Sequence, residues 1–297
     1  MTARRVRFKQ VDVFTAVPFR GNPLAVVFDA DPLSDAQMQA IARWTNLSET
    51  SFVCAPTDPS ADYRVRIFTT HRELPFAGHP TLGTAHAVRE AGLAPRTPGR
   101  LVQQCGAGLV GLVELREPAE GGPRAFAAPP ARVAPLGAAS HAALAAALRS
   151  EAIVFEATPC AADNGTPWLV VRLATAADCL ALAPDPDALR TLADAVGALG
   201  VAAYAPHPAG GPADFEVRCL ITAEASGIVE DPVTGSANAA IAGLLAHQGL
   251  HSGPTYTARQ GTALDRDGRV SVEYDATGKI WIGGDAITVI DGSFLLP

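Results

Sequence analysis

Glu73-Leu74-Pro75-Phe76-Ala77-Gly78-His79 and Glu230-Asp231-Pro232-Val233-Thr234-Gly235-Ser236 stand 157 residues apart in a chain of 297. Each runs from an acidic residue through a proline turn to a glycine and then a polar side chain. An Ala-rich helical pattern follows each, over residues 81–90 ahead of Gly92 and over 236–248 ahead of Gly249. A glycine there predicts the helix stop, because it takes the left-handed conformation cheaply. Working outward, two more pairs keep the same order. Gly21-Asn22-Pro23-Leu24-Ala25-Val26-Val27 echoes Gly165-Thr166-Pro167-Trp168-Leu169-Val170-Val171 at an offset of 144. Asp62-Tyr63-Arg64-Val65-Arg66 echoes Asp214-Phe215-Glu216-Val217-Arg218 at an offset of 152. Each match is weak alone, but three in one order near half the chain length indicate a duplicated unit.

The local patterns agree in both halves. Residues 64–68, 110–115, 217–221 and 270–274 are short, rich in β-branched and aromatic residues and partly alternating, so they predict strands. Residues 34–45, 141–150 and 186–198 predict further helices. The small side chains of 81–90 and 236–248 suit helices enclosed by sheet. Residues 117–135, with Gly121-Gly122 and five prolines, predict an interdomain linker, and the Pro-rich residues 205–213 a surface loop. The expected class is α+β: two pseudosymmetric domains, each a barrel-like, mostly antiparallel sheet around a central helix. The first spans residues 1–118, with a C-terminal strand at about 285–297 as a candidate to cross back to it. The second spans 119–284.

Composition bounds the function. Hydrophobic residues make up 48% and charged residues 18%, enough for a large core. Lys plus Arg number 23 against 30 Asp plus Glu, and no basic run reverses that sign, which argues against a nucleic-acid partner. No stretch approaches the ~20 apolar residues of a membrane span, and no signal-peptide pattern opens the chain, so a cytoplasmic protein is expected. The five cysteines form no CxxC pair and the seven histidines no HExxH, so neither a disulfide framework nor a metal site is expected.

The two Gly-helix junctions carry the chemistry. First-turn N–H groups of a helix lack intrahelical partners and sit at the positive end of its dipole, where they bind carboxylate or phosphate. Glycine lets a ligand approach the backbone. The competing reading makes His79 and Ser236 simple helix caps, a role serine favours.

Asn46-Leu47-Ser48-Glu49-Thr50, the string Glu73 to Gly83 and Glu230-Asp231-Pro232-Val233-Thr234-Gly235-Ser236-Ala237 resemble the three signatures of the PhzF family of phenazine-biosynthesis isomerase-like proteins. Val11-Asp12-Val13-Phe14-Thr15 with Gly21-Asn22-Pro23 resembles that family's first strand and turn. The resemblance runs from about residue 8 to the C-terminus. It implies the diaminopimelate epimerase-like fold, an active site between the two domains, a homodimer and cofactor-free acid–base chemistry. It also implies Glu49, His79 and Asp231 as catalytic residues, with Gly78, Gly235 and Ser236 binding the substrate.

Epimerase relatives place a cysteine at each Gly junction, whereas Ala77 and Thr234 stand before the two glycines here. Racemisation with one base on each face of a carbon therefore lacks its thiols. One carboxyl that removes a proton and returns it elsewhere favours an isomerase of a small carboxylate-bearing, amino-acid-like or dihydroaromatic metabolite. The alternatives are an amino-acid epimerase or racemase, and a catalytically silent small-ligand-binding protein of the same fold. Gly106-Ala107-Gly108-Leu109-Val110-Gly111 matches the dinucleotide fingerprint GxGxxG, but Leu112-Val113-Glu114-Leu115 continues as strand rather than helix, so no cofactor is expected.

Overall fold

The computed structural model describes residues 4–114, 124–222, 227–251 and 253–296. The chain divides into two compact units, Met1–Ala127 with Gly283–Pro297, and Ala128–Ile282.

In the first unit β1 (Arg4–Val13) pairs antiparallel with β2 (Asn22–Val27). A crossover through α1 (Asp35–Thr45) then brings β3 (Thr50–Cys54) parallel to β2. Ser34 caps α1 in a full capping box with Gln37, which is why this start was visible in the sequence. β4 (Tyr63–Phe68) returns antiparallel to β3, and the two-residue β5 (Glu73–Leu74) turns back on β4. α2 (Gly78–Glu90) follows, and β6 (Arg100–Cys105) lies parallel to β4. β7 (Gly108–Glu114) and β8 (Arg124–Ala127) complete an antiparallel run. The C-terminal strand, Ala286–Leu296, pairs with β1.

The second unit repeats this order. β9 (Arg132–Pro135) takes the place of the C-terminal strand and pairs with β10 (Cys160–Asp163), after α3 (His141–Leu148). β11 (Pro167–Arg172) pairs antiparallel with β10. Beyond α4 (Ala176–Leu180) and α5 (Pro186–Ala195), β12 (Gly200–Pro206) lies parallel to β11. β13 (Phe215–Ile221) and β14 (Val229–Asp231) run antiparallel. After α6 (Gly235–Gln248), β15 (Thr255–Gln260) is parallel to β13 and β16 (Gly268–Tyr274) antiparallel to β15. Pair for pair, antiparallel or parallel, the two units share one topology.

Each unit wraps its sheet on one helix. Gly78 to Val88 of α2 are all buried, and the helix packs on β1, β2, β3, β6, β8 and the C-terminal strand. α6 is buried over most of its length and packs on β9, β10, β11, β12 and β16. A Cβ on Gly83 would come within 2.6 Å of Leu24 and 2.7 Å of Val13, and one on Gly243 within 2.6 Å of Ala131. Those separations lie far inside van der Waals contact, so the glycines make room for the side chains of Leu24, Val13 and Ala131 against the helices.

The chain passes from one unit to the other at Ala127–Ala128, inside the expected linker 117–135, but that stretch also holds two strands. Residues 115–123, with the expected boundary at 118, lie outside the described residues, and 124–135 contain β8 and β9. The GxGxxG match is the turn of the β6–β7 hairpin, where Cys105 pairs with Gly108. Residues 207–214 form the loop expected of the Pro-rich stretch 205–213, with β12 extending into that stretch as far as Pro206.

Candidate active site

In the first unit Asn46 ends α1 in the left-handed conformation, and the chain turns through Glu49 into β3. Thr45 and Thr50 share a hydrogen bond of 2.9 Å between hydroxyls, closing the loop that presents Glu49. Glu49 Oε2 lies 3.5 Å from His79 Nε2, with side-chain exposures of 17% and 6%. The other ring nitrogen, Nδ1, is 3.4 Å from the side-chain amide nitrogen of Asn22, at the start of β2. Burial pushes the His79 imidazole down to about 3, so it is neutral at ordinary pH. The helix dipole acts in the same direction.

His79 is the second residue of α2 rather than its cap. The N-cap is Ala77, which has no side-chain cap bond. The simple-cap reading therefore fails here, and it fails equally in the second unit. There the N-cap of α6 is Thr234, again without a side-chain cap bond. Its hydroxyl donates instead to Asp231 Oδ2 at 2.5 Å.

A buried chain of hydrogen bonds imposes that choice. Gln260, fully buried on β15, donates from Nε2 to Thr234 Oγ1 at 2.9 Å and to the Asp231 carbonyl at 3.0 Å. Its Oε1 accepts from the Thr234 amide at 3.1 Å and from Asn238 Nδ2 at 2.9 Å. An amide nitrogen can only donate, so the threonine proton is left for the carboxylate. Ser236 is held separately: Trp168 Nε1 donates to its hydroxyl at 3.1 Å, and Asn164 Nδ2 to its carbonyl at 3.1 Å.

The structure thus brings Glu49, Gly78 and His79 together in one unit, and Asp231, Gly235 and Ser236 together in the other. Sequence reasoning assigned no role to Asn22, Trp168, Thr234, Asn238 or Gln260. Asn22 carried a signal, since it is the middle residue of the repeated Gly-x-Pro turn. Gln260 carried none, because only the parallel β13–β15 pairing brings it to Thr234.

None of the five thiols stands at a junction glycine. Four are buried and Cys105 is half-buried. Burial raises Cys54, Cys105 and Cys160, pushes Cys179 up to about 12, and holds Cys219, opposite Asp231 in the β13–β14 register, well above its usual value. Alkylation of the native protein is therefore expected to leave turnover nearly unchanged. Stoichiometric loss of activity on labelling one thiol, without unfolding, would refute this. Among the described residues, no group of three or more His, Cys, Asp or Glu could hold a metal ion. No helix among them is long and apolar enough to cross a membrane.

The chain is thus an α+β duplication with Glu49 beside His79 at one helix start and the Asp231–Thr234–Gln260 network at the other. Comparison with known proteins agrees. Residues 11–292 match the family pattern described as phenazine biosynthesis-like protein. Antisense-enhancing sequence 1 of Schizosaccharomyces pombe is 38% identical over 294 residues, 96% of this chain and 97% of that one. Trans-2,3-dihydro-3-hydroxyanthranilate isomerase of Pseudomonas aeruginosa is 33% identical over 274 residues, 92% of each chain. The crystal structure of a Bacillus anthracis PhzF-family phenazine biosynthesis protein matches with a TM-score of 0.85 and 25% identity, covering 99% of this chain and 100% of that one. The chain belongs to the phenazine biosynthesis-like (PhzF) family, and it is an isomerase of small molecules.

Proposed function

We propose that this isomerase moves a proton, and with it a double bond, within a small carboxylate-bearing metabolite of amino-acid-like or dihydroaromatic type, and that Glu49 carries the proton. The observation behind this reading is the placement of the Glu49 carboxyl 3.5 Å from a buried, neutral His79. A carboxyl can give a proton to one carbon and, as carboxylate, take one from another, so a single residue completes the shift. A neutral imidazole beside it does not compete for the proton. Inversion at one carbon would need a base on each face, and no thiol stands at Ala77 or Thr234 to provide the pair.

The remaining residues bind. The uncapped first turns at Gly78 and at Gly235-Ser236 suit a carboxylate, each helix end contributing about 0.3–1 kcal/mol. Asp231, held by Thr234, accepts a hydrogen bond from an amine or hydroxyl on the substrate. The name of the P. aeruginosa relative's substrate describes a ring bearing a carboxylate, an amine and a hydroxyl, which is the set of groups these residues would recognise.

The test uses trans-2,3-dihydro-3-hydroxyanthranilate and a panel of dihydroaromatic and amino-acid carboxylates in deuterated water. The expected result is isomerisation of a panel member with deuterium entering at the reacting carbon. Loss of optical activity without double-bond movement would mark an epimerase instead. Binding with no exchange anywhere in the panel would mark a silent binding protein.

A further inference from the structure

We infer that Asn22 fixes the tautomer of His79: its side-chain amide donates to Nδ1, which keeps the single ring proton on Nε2, facing the Glu49 carboxyl. Asn22 is fully buried at the first position of β2, opposite Val13 of β1, with Nδ2 3.4 Å from His79 Nδ1. The opposite ring nitrogen lies 3.5 Å from Glu49 Oε2. A neutral imidazole has one donor and one acceptor, so only two arrangements are open. In one, an Nε2 lone pair faces the carboxylate, and two electron-rich atoms oppose each other in a buried site. In the other, Nε2–H points at the carboxylate, and Nδ1 becomes an acceptor that needs a donor. The asparagine amide supplies that donor without bringing a charge, so the imidazole stays neutral.

The duplication supplies an internal control. The position of Asn22 in the first Gly-x-Pro turn is held by Thr166 in the second, and the place of His79 is taken there by Ser236. A hydroxyl has no tautomer to set. Ser236 instead accepts from Trp168 Nε1, a residue two places further along the strand. At the repeated position the carboxamide accompanies the imidazole and is replaced where the imidazole is replaced; Asn164, two residues before Thr166, reaches only the Ser236 backbone carbonyl. Asn22 is thus a positioning residue: it acts on the reaction through His79, and His79 through Glu49. This rests on Glu49 being the proton carrier proposed above.

The test is a two-bond proton–nitrogen correlation spectrum of the full chain carrying 15N-labelled histidine, at neutral pH. The His79 signals among the seven histidines are identified by their loss in His79→Gln. The expected spectrum has a pyrrole-like Nε2 and a pyridine-like Nδ1. A protonated Nδ1 in the wild-type protein overturns the inference, and that result needs no other variant to fold. Asn22→Asp supplies the second measurement. An ionised carboxylate only accepts, so a proton must come onto Nδ1, whether as the other tautomer or as imidazolium, and the Nδ1 signal becomes pyrrole-like. A folded Asn22→Asp protein whose introduced carboxyl is ionised, as read from its side-chain carbon-13 shift, and whose Nδ1 is still unprotonated also overturns it; a neutral carboxyl there would donate as the amide does. The spectrum reports the resting ring alone, so it stands or falls separately from the turnover of Glu49→Gln, which decides the reading beneath it.

Discussion

Glu49→Gln is expected to lower kcat by at least about 10²-fold, and by up to about 10⁴-fold, the usual contribution of general acid–base catalysis. The substitution keeps the size of the side chain beside His79, but an amide cannot take up and return a proton. Stability is expected to change little. His79 is neutral, so no ion pair is broken, and the side chain keeps some exposure at 17%. Substrate affinity is also expected to hold, since the proposed carboxylate sites lie at the helix starts rather than on Glu49. Deuterium entry at the reacting carbon should disappear along with turnover. If Glu49→Gln keeps most of its activity while His79→Ala loses it, the imidazole carries the proton and the assignment of roles is reversed.

What the chain reveals before folding depends on whether the signal is local. Ser34 with Gln37, and Gly249 after residues 236–248, are signals within one turn of their helices, and α1 starts and α6 stops where those residues stand. α2 starts at Gly78 rather than near Thr81, because Pro80 is tolerated in a first turn, where its missing N–H costs no helix bond. α4, a five-residue turn, is too short to show a period. β8 and β9 were hidden inside a Pro-rich stretch for a different reason. Four residues each, they are strands only because β7 and β10 supply their ladders.

The same division runs through the candidate site. Glu49, His79, Asp231 and the glycines lie in contiguous motifs. The groups that orient them lie far away in sequence. Gln260 is 26 residues from Thr234, and Trp168 is 68 residues from Ser236. A glutamine at the end of a strand resembles any solvated polar position until the parallel register buries it. Site residues were legible as motifs, whereas their supports were legible only through topology.

Acid is expected to weaken the fold through two buried histidines. Burial pushes His79 down to about 3 and His86 to about 4, against an ordinary 6.5. His86 sits inside α2 with Nε2 3.2 Å from Thr288 Oγ1 and 3.9 Å from Glu90, whose charge pulls the other way without overcoming burial. The unfolded chain takes up these protons as the pH drops below about 6.5, while the folded chain refuses them until about 4 and 3. The stability they contribute is therefore complete above pH 6.5 and is lost as the pH falls towards the folded values. The slope is about 1.4 kcal/mol per pH unit for each histidine, so about 2.7 kcal/mol per unit for the two while both remain neutral in the fold. Against a typical total of about 5–15 kcal/mol, two units of acidification remove a large share. Urea unfolding of His86→Leu and wild type between pH 7 and 4.5 isolates one of the two. Glu90, the carboxylate that feels His86, is held below its ordinary 4.5 and so stays ionised in both proteins over this range, and loss of the Thr288 bond shifts the variant by a constant. The pH-dependent difference is thus His86 alone. The two stability curves should approach each other by about 1.4 kcal/mol for each pH unit of acidification. Parallel curves would mean that His86 takes its proton as readily in the folded chain as in the unfolded one, and that its burial does not hold it neutral.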